Sequence, residues 1–145
     1  MGTYWVIDEG EVDPATFFLA LPRHFPEATT FYVEGTSVAP EVRECYTTFS
    51  QPDSYLARSE TSWPESKKFR CTFSPELFAA LAALSKRYAL PELLDHFAIY
   101  RDRSSLLDWP DAFSNEIFCA SSVPETQVSS LAEEFGLSYV LRTDS

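Results

Sequence analysis

The sequence predicts a mixed α and β fold (α/β or α+β). We expect one mixed, largely antiparallel sheet of about five to six strands, with helices mainly on one face. Segments of helical and strand period alternate early in the chain, and residues 96–120 then have the strongest β character. The 145 residues are 45% hydrophobic, which favours a single globular domain over 1–145 with its own core.

The first part of the chain predicts a strand on each side of a helix. The apolar run at residues 4–7 predicts a short strand or an ordered arm. Asp and Pro at 13–14 are typical of a helix start, and Pro22 and Pro26 should end that helix early. The β-branched and aromatic run at 29–34 predicts a strand.

A second helix, a loop and a strand follow. The helix after Pro40 is indicated by apolar residues at helical spacing, namely Val42, Cys45, Tyr46 and Phe49. Residues 50–66 have no clear period and predict a long loop of the kind that often binds a ligand or partner. Residues 67–73 alternate apolar and basic side chains, which predicts a strand covered on one face only.

The rest of the chain completes the sheet. The Ser-Pro-Glu sequence at 74–76 has the chemistry of a helix start, and residues 91–94 predict one more helical turn. Residues 96–120 predict a hairpin followed by a third strand. Residues 122–136 predict a last helix that a glycine closes, and residues 138–141 predict a final short strand.

Composition indicates the cellular compartment and limits the classes of binding partner. The net charge of −11 disfavours nucleic acid and anionic membrane surfaces as partners. The chain has no window of 18 apolar residues and no basic leader, so we expect neither a membrane span nor a signal peptide. Three widely spaced cysteines favour the reducing cytoplasm over a disulfide scaffold.

Familiar catalytic motifs are missing. The chain has no nucleotide-binding glycine motif, no GxSxG and no HExxH, and its two histidines exclude a three-histidine zinc site. We therefore expect no metal and no cofactor. Cys71 or Cys119 could pair with His96 as a nucleophile, but their apolar neighbours favour buried, inert thiols.

The best catalytic hypothesis is a carboxylate cluster. Asp108 and Asp111 flank a Trp-Pro dipeptide after the hairpin, and Glu34 ends a separate strand that could bring it near His96. Paired carboxylates in such surroundings can divide into acid and base roles. The competing interpretation is that Asp111 caps a turn while Asp108 faces solvent or pairs with Arg101 across the hairpin.

The sequence favours binding over catalysis. The leading hypothesis is a non-enzymatic acidic cytosolic protein that binds another protein, one that could be basic, as a bacterial immunity or inhibitor protein does. One alternative is a small enzyme using the carboxylate cluster. Another is a small-ligand module with an aromatic pocket of Tyr32, Tyr100 and Trp109. The candidate binding residues are Glu34, His96, Arg101, Asp108, Trp109 and Asp111.

Overall fold

The computed structural model of the protein describes residues 2–51 and 67–143. Within them it has one antiparallel sheet and five helices. The strands are β1 (Thr3–Ile7), β2 (Thr30–Gly35), β3 (Lys67–Thr72), β4 (His96–Arg101), β5 (Ser104–Trp109), β6 (Ile117–Ala120) and β7 (Tyr139–Thr143). The helices are α1 (Pro14–His24), α2 (Pro40–Thr48), α3 (Pro75–Leu84), α4 (Leu90–Leu93) and α5 (Glu125–Glu134). The predicted fold class is confirmed, with seven strands instead of five or six.

The position of β1 accounts for the higher strand number. The strands lie in the order β3-β2-β4-β5-β6-β1-β7, so β1 is inside the sheet, between β6 and β7. The sequence left residues 4–7 undecided between a strand and an arm. Val6 and Ile7 are both fully buried although they point to opposite faces. Because both side chains are excluded from solvent, the run shows no alternation of apolar and polar residues.

An aromatic core fills the space between the sheet and the helices. Phe97 of β4 is fully buried, and its ring centroid lies 5.1 Å from that of Phe31 in β2. Phe17 of α1 lies 4.9 Å from Trp109 of β5, and Phe78 of α3 lies 5.1 Å from Phe31. The helices α1 and α3 therefore pack on the sheet face that presents these aromatic rings.

The other helices lie on the same face of the sheet. The Tyr46 ring of α2 packs 5.0 Å from Phe69 of β3, and its hydroxyl donates to the carbonyl of Leu93 in α4 at 2.7 Å. Trp5 of β1 donates its indole N–H to the carbonyl of Val123, just before α5, at 3.0 Å. The predicted placement of the helices is thus observed. No helix in the described ranges is long and apolar enough to cross a membrane.

Two helix starts follow the predicted capping chemistry. The carboxylate of Asp13 accepts a hydrogen bond from the Thr16 backbone N–H at 3.0 Å, which caps α1. The Ser74 hydroxyl accepts from the Leu77 N–H at 3.2 Å, which caps α3. In both helices a proline follows the cap directly, where its missing N–H would have no partner in the helix.

The end of α1 corrects the sequence prediction. The prediction that Pro22 ends the helix is wrong, since Pro22 lies inside α1, which continues to His24. The last turn is held by α5. Arg23 lies 2.9 Å from a carboxylate oxygen of Glu134, and His24 Nε2 lies 2.6 Å from the other oxygen. Pro22 cannot donate a backbone hydrogen bond, and these contacts join the turn that contains it to α5.

The predicted binding loop at 50–66 lies outside the described residues from 52 onward. The first two residues of this segment, 50 and 51, are described and lie beside β3. Ser50 forms an isolated antiparallel bridge with Cys71, and the Gln51 N–H donates to the Arg70 carbonyl at 2.9 Å. The start of this segment therefore runs along the outer side of β3.

Replacing Phe97 by alanine should lower the free energy of unfolding by about 3–5 kcal/mol, because truncating a buried aromatic ring removes apolar contacts and leaves a cavity. Urea denaturation followed by tryptophan fluorescence measures this change. Leu19→Ala is the control. Leu19 is 52% exposed on α1, so its truncation should change the free energy of unfolding by less than about 0.5 kcal/mol. Equal losses in the two variants would contradict a core centred on Phe97.

Candidate functional site

The sheet face opposite the helices is the candidate functional surface. The described helices pack on the other face, and one cross-strand row passes over this face through all seven strands. The row consists of Arg70, Tyr32, Ala98, Asp108, Phe118, Val6 and Val140. Glu34 and His96 lie on the same face, two residues along their strands from Tyr32 and Ala98. We call this surface the open face.

Three predicted site residues meet on the open face. Glu34 of β2 and His96 of β4 are directly opposite each other in the strand register. Asp108 of β5 approaches from the other side, and its Oδ1 lies 2.6 Å from His96 Nε2. His96 Nδ1 lies 3.8 Å from Glu34 Oε2. The imidazole ring is therefore held between two carboxylates, one hydrogen-bonded to it and one at ion-pair distance.

Tyr32 supports the cluster from the same strand as Glu34. Its hydroxyl donates to Glu34 Oε2 at 2.5 Å, and its ring meets the His96 ring edge-on at 6.2 Å. Burial and the bond to Glu34 raise the pKa of Tyr32 well above its ordinary value. The phenol thus stays protonated, and it continues to donate to Glu34 at any physiological pH.

The two carboxylates favour the charged form of the histidine. The hydrogen bond to Asp108 raises the pKa of His96 above its usual value, and the charges of Asp108, Glu34 and Asp111 add to the effect. Partial burial of the ring acts in the opposite direction. The His96 side chain is 28% exposed and that of Asp108 is 45% exposed, so the cluster is accessible to a partner.

Asp111 influences the cluster from a turn. Its φ of 48° is in the left-handed region, which aspartate adopts more readily than most residues. Its carbonyl accepts from the Ser114 N–H at 2.9 Å. Asp111 thus sits in the turn that the sequence suggested, and its charge still acts on His96.

The structure separates Trp109 from the other candidate residues. Trp109 pairs with Phe97 on the helix-covered face, is 2% exposed, and donates its indole N–H to the Asn115 carbonyl at 2.8 Å. Tyr32 and Tyr100 lie on the open face. Tyr32, Tyr100 and Trp109 therefore do not line one pocket, and the prediction of an aromatic pocket built from these three residues is wrong. Trp109 is a core residue.

Arg101 also lies apart from the cluster. It is exposed at the end of β4, where its register partner is Ser104, and Asp108 binds His96 instead of pairing with Arg101. Arg101 borders a cavity of about 920 Å³ at the β4–β5 hairpin, together with Gln127 of α5. The interpretation that Asp108 pairs with Arg101 across the hairpin is thus wrong, because the two residues lie at opposite ends of the strand pair.

The hypothesis that Cys71 or Cys119 pairs with His96 as a nucleophile is wrong, because the cysteines and His96 lie on opposite faces of the sheet. Cys71 and Cys119 are buried on the face that the helices cover, whereas His96 lies on the open face. Burial raises the pKa of each of these two thiols to about 12. Both thiols are therefore protonated at neutral pH and unsuited to nucleophilic attack.

Several residues of the open face were missed from the sequence. Tyr4 and Phe118 are half-buried on it, with ring centroids 5.9 Å apart. The alternation of Phe118 with Ile117 and Cys119 was a usable signal for its outward position. Tyr4 gave no such signal, since all of residues 4–7 are apolar or aromatic.

Neither metal geometry nor similarity assigns a role to this surface. Within residues 2–51 and 67–143, no group of three or more His, Cys, Asp or Glu side chains is placed to hold a metal ion. Comparison with protein-family models, with curated proteins and with solved structures finds no match to this chain. A function must therefore be argued from the open face itself.

His96 should titrate at a higher pH than free histidine, and Asp108→Asn should move its midpoint down, because the principal acceptor loses its charge. The histidine ring resonances in NMR spectra report both midpoints. A pKa raised by folding stabilises the native state below the unfolded value of about 6.5, and this stability is lost as pH rises through the folded pKa. The pH dependence of unfolding should therefore be flatter in Asp108→Asn.

The control for this titration is Asp102→Asn, which removes a carboxylate from the exposed β4–β5 turn. It should leave the His96 midpoint unchanged. If both variants shifted the midpoint equally, the general charge of the protein would be responsible, and the assigned role of Asp108 would be contradicted.

Proposed function

We propose that this chain is a non-enzymatic cytoplasmic protein that binds a basic partner protein through its open face. The observation that carries the proposal is the location of Glu34, His96 and Asp108 on a sheet face that the described helices leave uncovered. A bacterial immunity or inhibitor protein, which covers a basic toxin or nuclease, is the kind of role that fits.

Charge supports a basic partner. The chain carries a net charge of −11, and complementary charge speeds the encounter of two proteins and disfavours partners of the wrong sign. On the open face, the carboxylates of Glu34 and Asp108 are accessible from solvent. The same net charge argues against nucleic acid and anionic membranes as partners.

The apolar part of the open face supports a protein partner. Tyr4, Tyr32 and Phe118 are half-buried there and leave part of each ring accessible beside the carboxylates. Protein interfaces are enriched in aromatic residues and surround them with polar groups. A small ion would use the carboxylates alone, whereas a protein surface would also cover these rings.

The geometry of His96 favours binding over catalysis. A histidine that acts as a general base or acid needs one ring nitrogen directed at the substrate. In this cluster Nε2 is hydrogen-bonded to Asp108 and Nδ1 is directed at Glu34. Both nitrogens therefore face carboxylates of the same chain, which raise the pKa of His96 and favour the charged ring.

A second candidate is the small enzyme, which is favoured by the convergence of Glu34, His96 and Asp108. Its test is turnover of ester, phosphate and glycoside model substrates by the wild type and by Asp108→Asn. Turnover that Asp108→Asn abolishes and Asp102→Asn retains would favour the enzyme over the binding protein.

The cytoplasmic setting rests on the cysteines. Cys45, Cys71 and Cys119 are all free thiols, and two of them are buried in the core. Free buried cysteines are compatible with a reducing compartment, where a disulfide would not be needed for stability.

Glu34→Lys and Asp108→Lys should each weaken partner binding about tenfold or more, since each replaces attraction by repulsion inside the contact. The partner would be recovered by affinity purification, purified, and titrated by calorimetry at low and high salt. The affinity of the wild type should fall as salt rises, because salt screens exposed charges.

Glu76→Lys is the matched control. Glu76 is exposed on α3, on the helix side of the sheet, and its replacement changes the net charge equally. It should retain most of the affinity, while Asp108→Asn should give an intermediate loss without reversing the charge. An affinity independent of salt, or an equal loss in Glu76→Lys, would contradict recognition through the open face.

A further inference from the structure

The two margins of the sheet differ in how they are protected. At the β3 margin the chain itself supplies partners, since Thr72 N–H donates to the Phe49 carbonyl at 2.8 Å and Ser50 bridges Cys71. Lys67 and Lys68 are exposed on that strand. Lysines and covering segments are the usual devices that prevent an edge strand from pairing with another chain.

The β7 margin lacks these devices among the described residues. β7 pairs with β1 on one side, and the described residues provide no strand on its other side. Val140 and Leu141 are each 48% exposed on this strand. Leu19 is the other large hydrophobic residue exposed to this extent in the described ranges, so exposed apolar surface is concentrated at the β7 edge.

The surroundings of β7 are acidic. The Tyr139 hydroxyl donates to Glu125 of α5 at 2.9 Å, and the charge of Glu133 also reaches this phenol. At the start of the strand, the Asp8 N–H donates to the Ser138 carbonyl at 2.8 Å. Arg142 is the cation of the strand, and it lies 3.7 Å from Glu116. The charge around the edge is therefore mainly negative.

This charge selects among possible occupants of the edge. A second copy of the chain would bring together the same acidic groups, which belong to α5 and to Asp8 directly after β1, and this disfavours self-pairing. A basic segment would be attracted to them. Because Val140 belongs to the cross-strand row of the open face, a strand added to β7 would extend the surface assigned to the partner.

We propose that the free edge of β7 binds an extended basic segment of the partner by strand addition. The inference rests on the proposed function, and it specifies how the partner is held. Backbone N–H and C=O groups of β7 would bond to the added segment, whose apolar side chains would cover Val140 on the open face and whose alternating basic side chains would lie on the other face, beside Leu141. Its lysines and arginines would lie near Glu125 and Glu133.

The test uses short capped peptides of alternating valine and lysine, one unmodified and one N-methylated at every central residue, so that neither edge of the methylated peptide can donate to a strand. The two peptides have the same charge and similar apolar surface, but methylation removes the N–H groups that a ladder requires. Fluorescence anisotropy should show that the methylated peptide binds the full chain about tenfold more weakly or worse. Hydrogen exchange should show added protection of the β7 amides by the unmodified peptide.

Leu141→Lys should weaken binding of the unmodified peptide by a similar factor. Leu19→Lys is the matched control, because it places the same charge on an exposed leucine of α1 and should retain binding. If Leu141→Lys failed to fold, the peptide pair would still decide the question on the wild type.

Two outcomes would overturn strand addition: equal affinities of the two peptides, or binding of neither. Failure here is distinguishable from failure of the proposed function. If the peptides bound equally while Glu34→Lys and Asp108→Lys still weakened partner binding, recognition through the open face would stand without the edge. If only strand addition were observed, the open-face contact would be the part that failed.

Discussion

The aromatic core on one side of the sheet is the constraint on which the rest of the structure depends. Phe97 contacts Phe17 and Phe31, and its strand neighbour Trp109 faces the same way. Since side chains alternate along a strand, burial of these rings fixes His96 and Asp108 on the opposite face. A register slip of one residue would move the aromatic rings into solvent, so the position of the polar cluster is fixed by apolar packing elsewhere.

The cluster itself balances charges that would otherwise repel. Glu34 and Asp108 both lie close to one imidazole, which separates them and whose charged form they favour. The Tyr32 hydroxyl also donates a hydrogen bond to the Glu34 carboxylate. This network explains why partly buried carboxylates are tolerated on a sheet surface. It also explains why they remain available to an external cation, since each keeps an accessible side.

Local sequence signals were sufficient to predict much of the fold and part of the candidate site. The cap at Ser74 and the alternation of residues 67–73 predicted their elements because these signals are local. The burial of Leu106 beside Leu107 could not be predicted, because the register between β4 and β5 shifts after Ile99. Trp109 follows Leu107 by two residues, so ordinary alternation already indicated its buried face. The insertion of β1 between β6 and β7 depends on pairing of distant segments, which no local pattern specifies.

The side chains of the open face change from basic at β3 to acidic in the middle and apolar at β7. This asymmetry favours one orientation of a bound partner. Lys68 and Arg70 lie at the β3 end, the carboxylates of Glu34 and Asp108 lie towards the middle, and Val140 lies at β7. The proposed basic partner would be repelled by the first region and attracted by the second. Repulsion at one end excludes orientations that attraction alone would allow. The partner would therefore be displaced towards β6, β1 and β7, where aromatic and apolar side chains adjoin the one margin with an uncovered edge among the described strands.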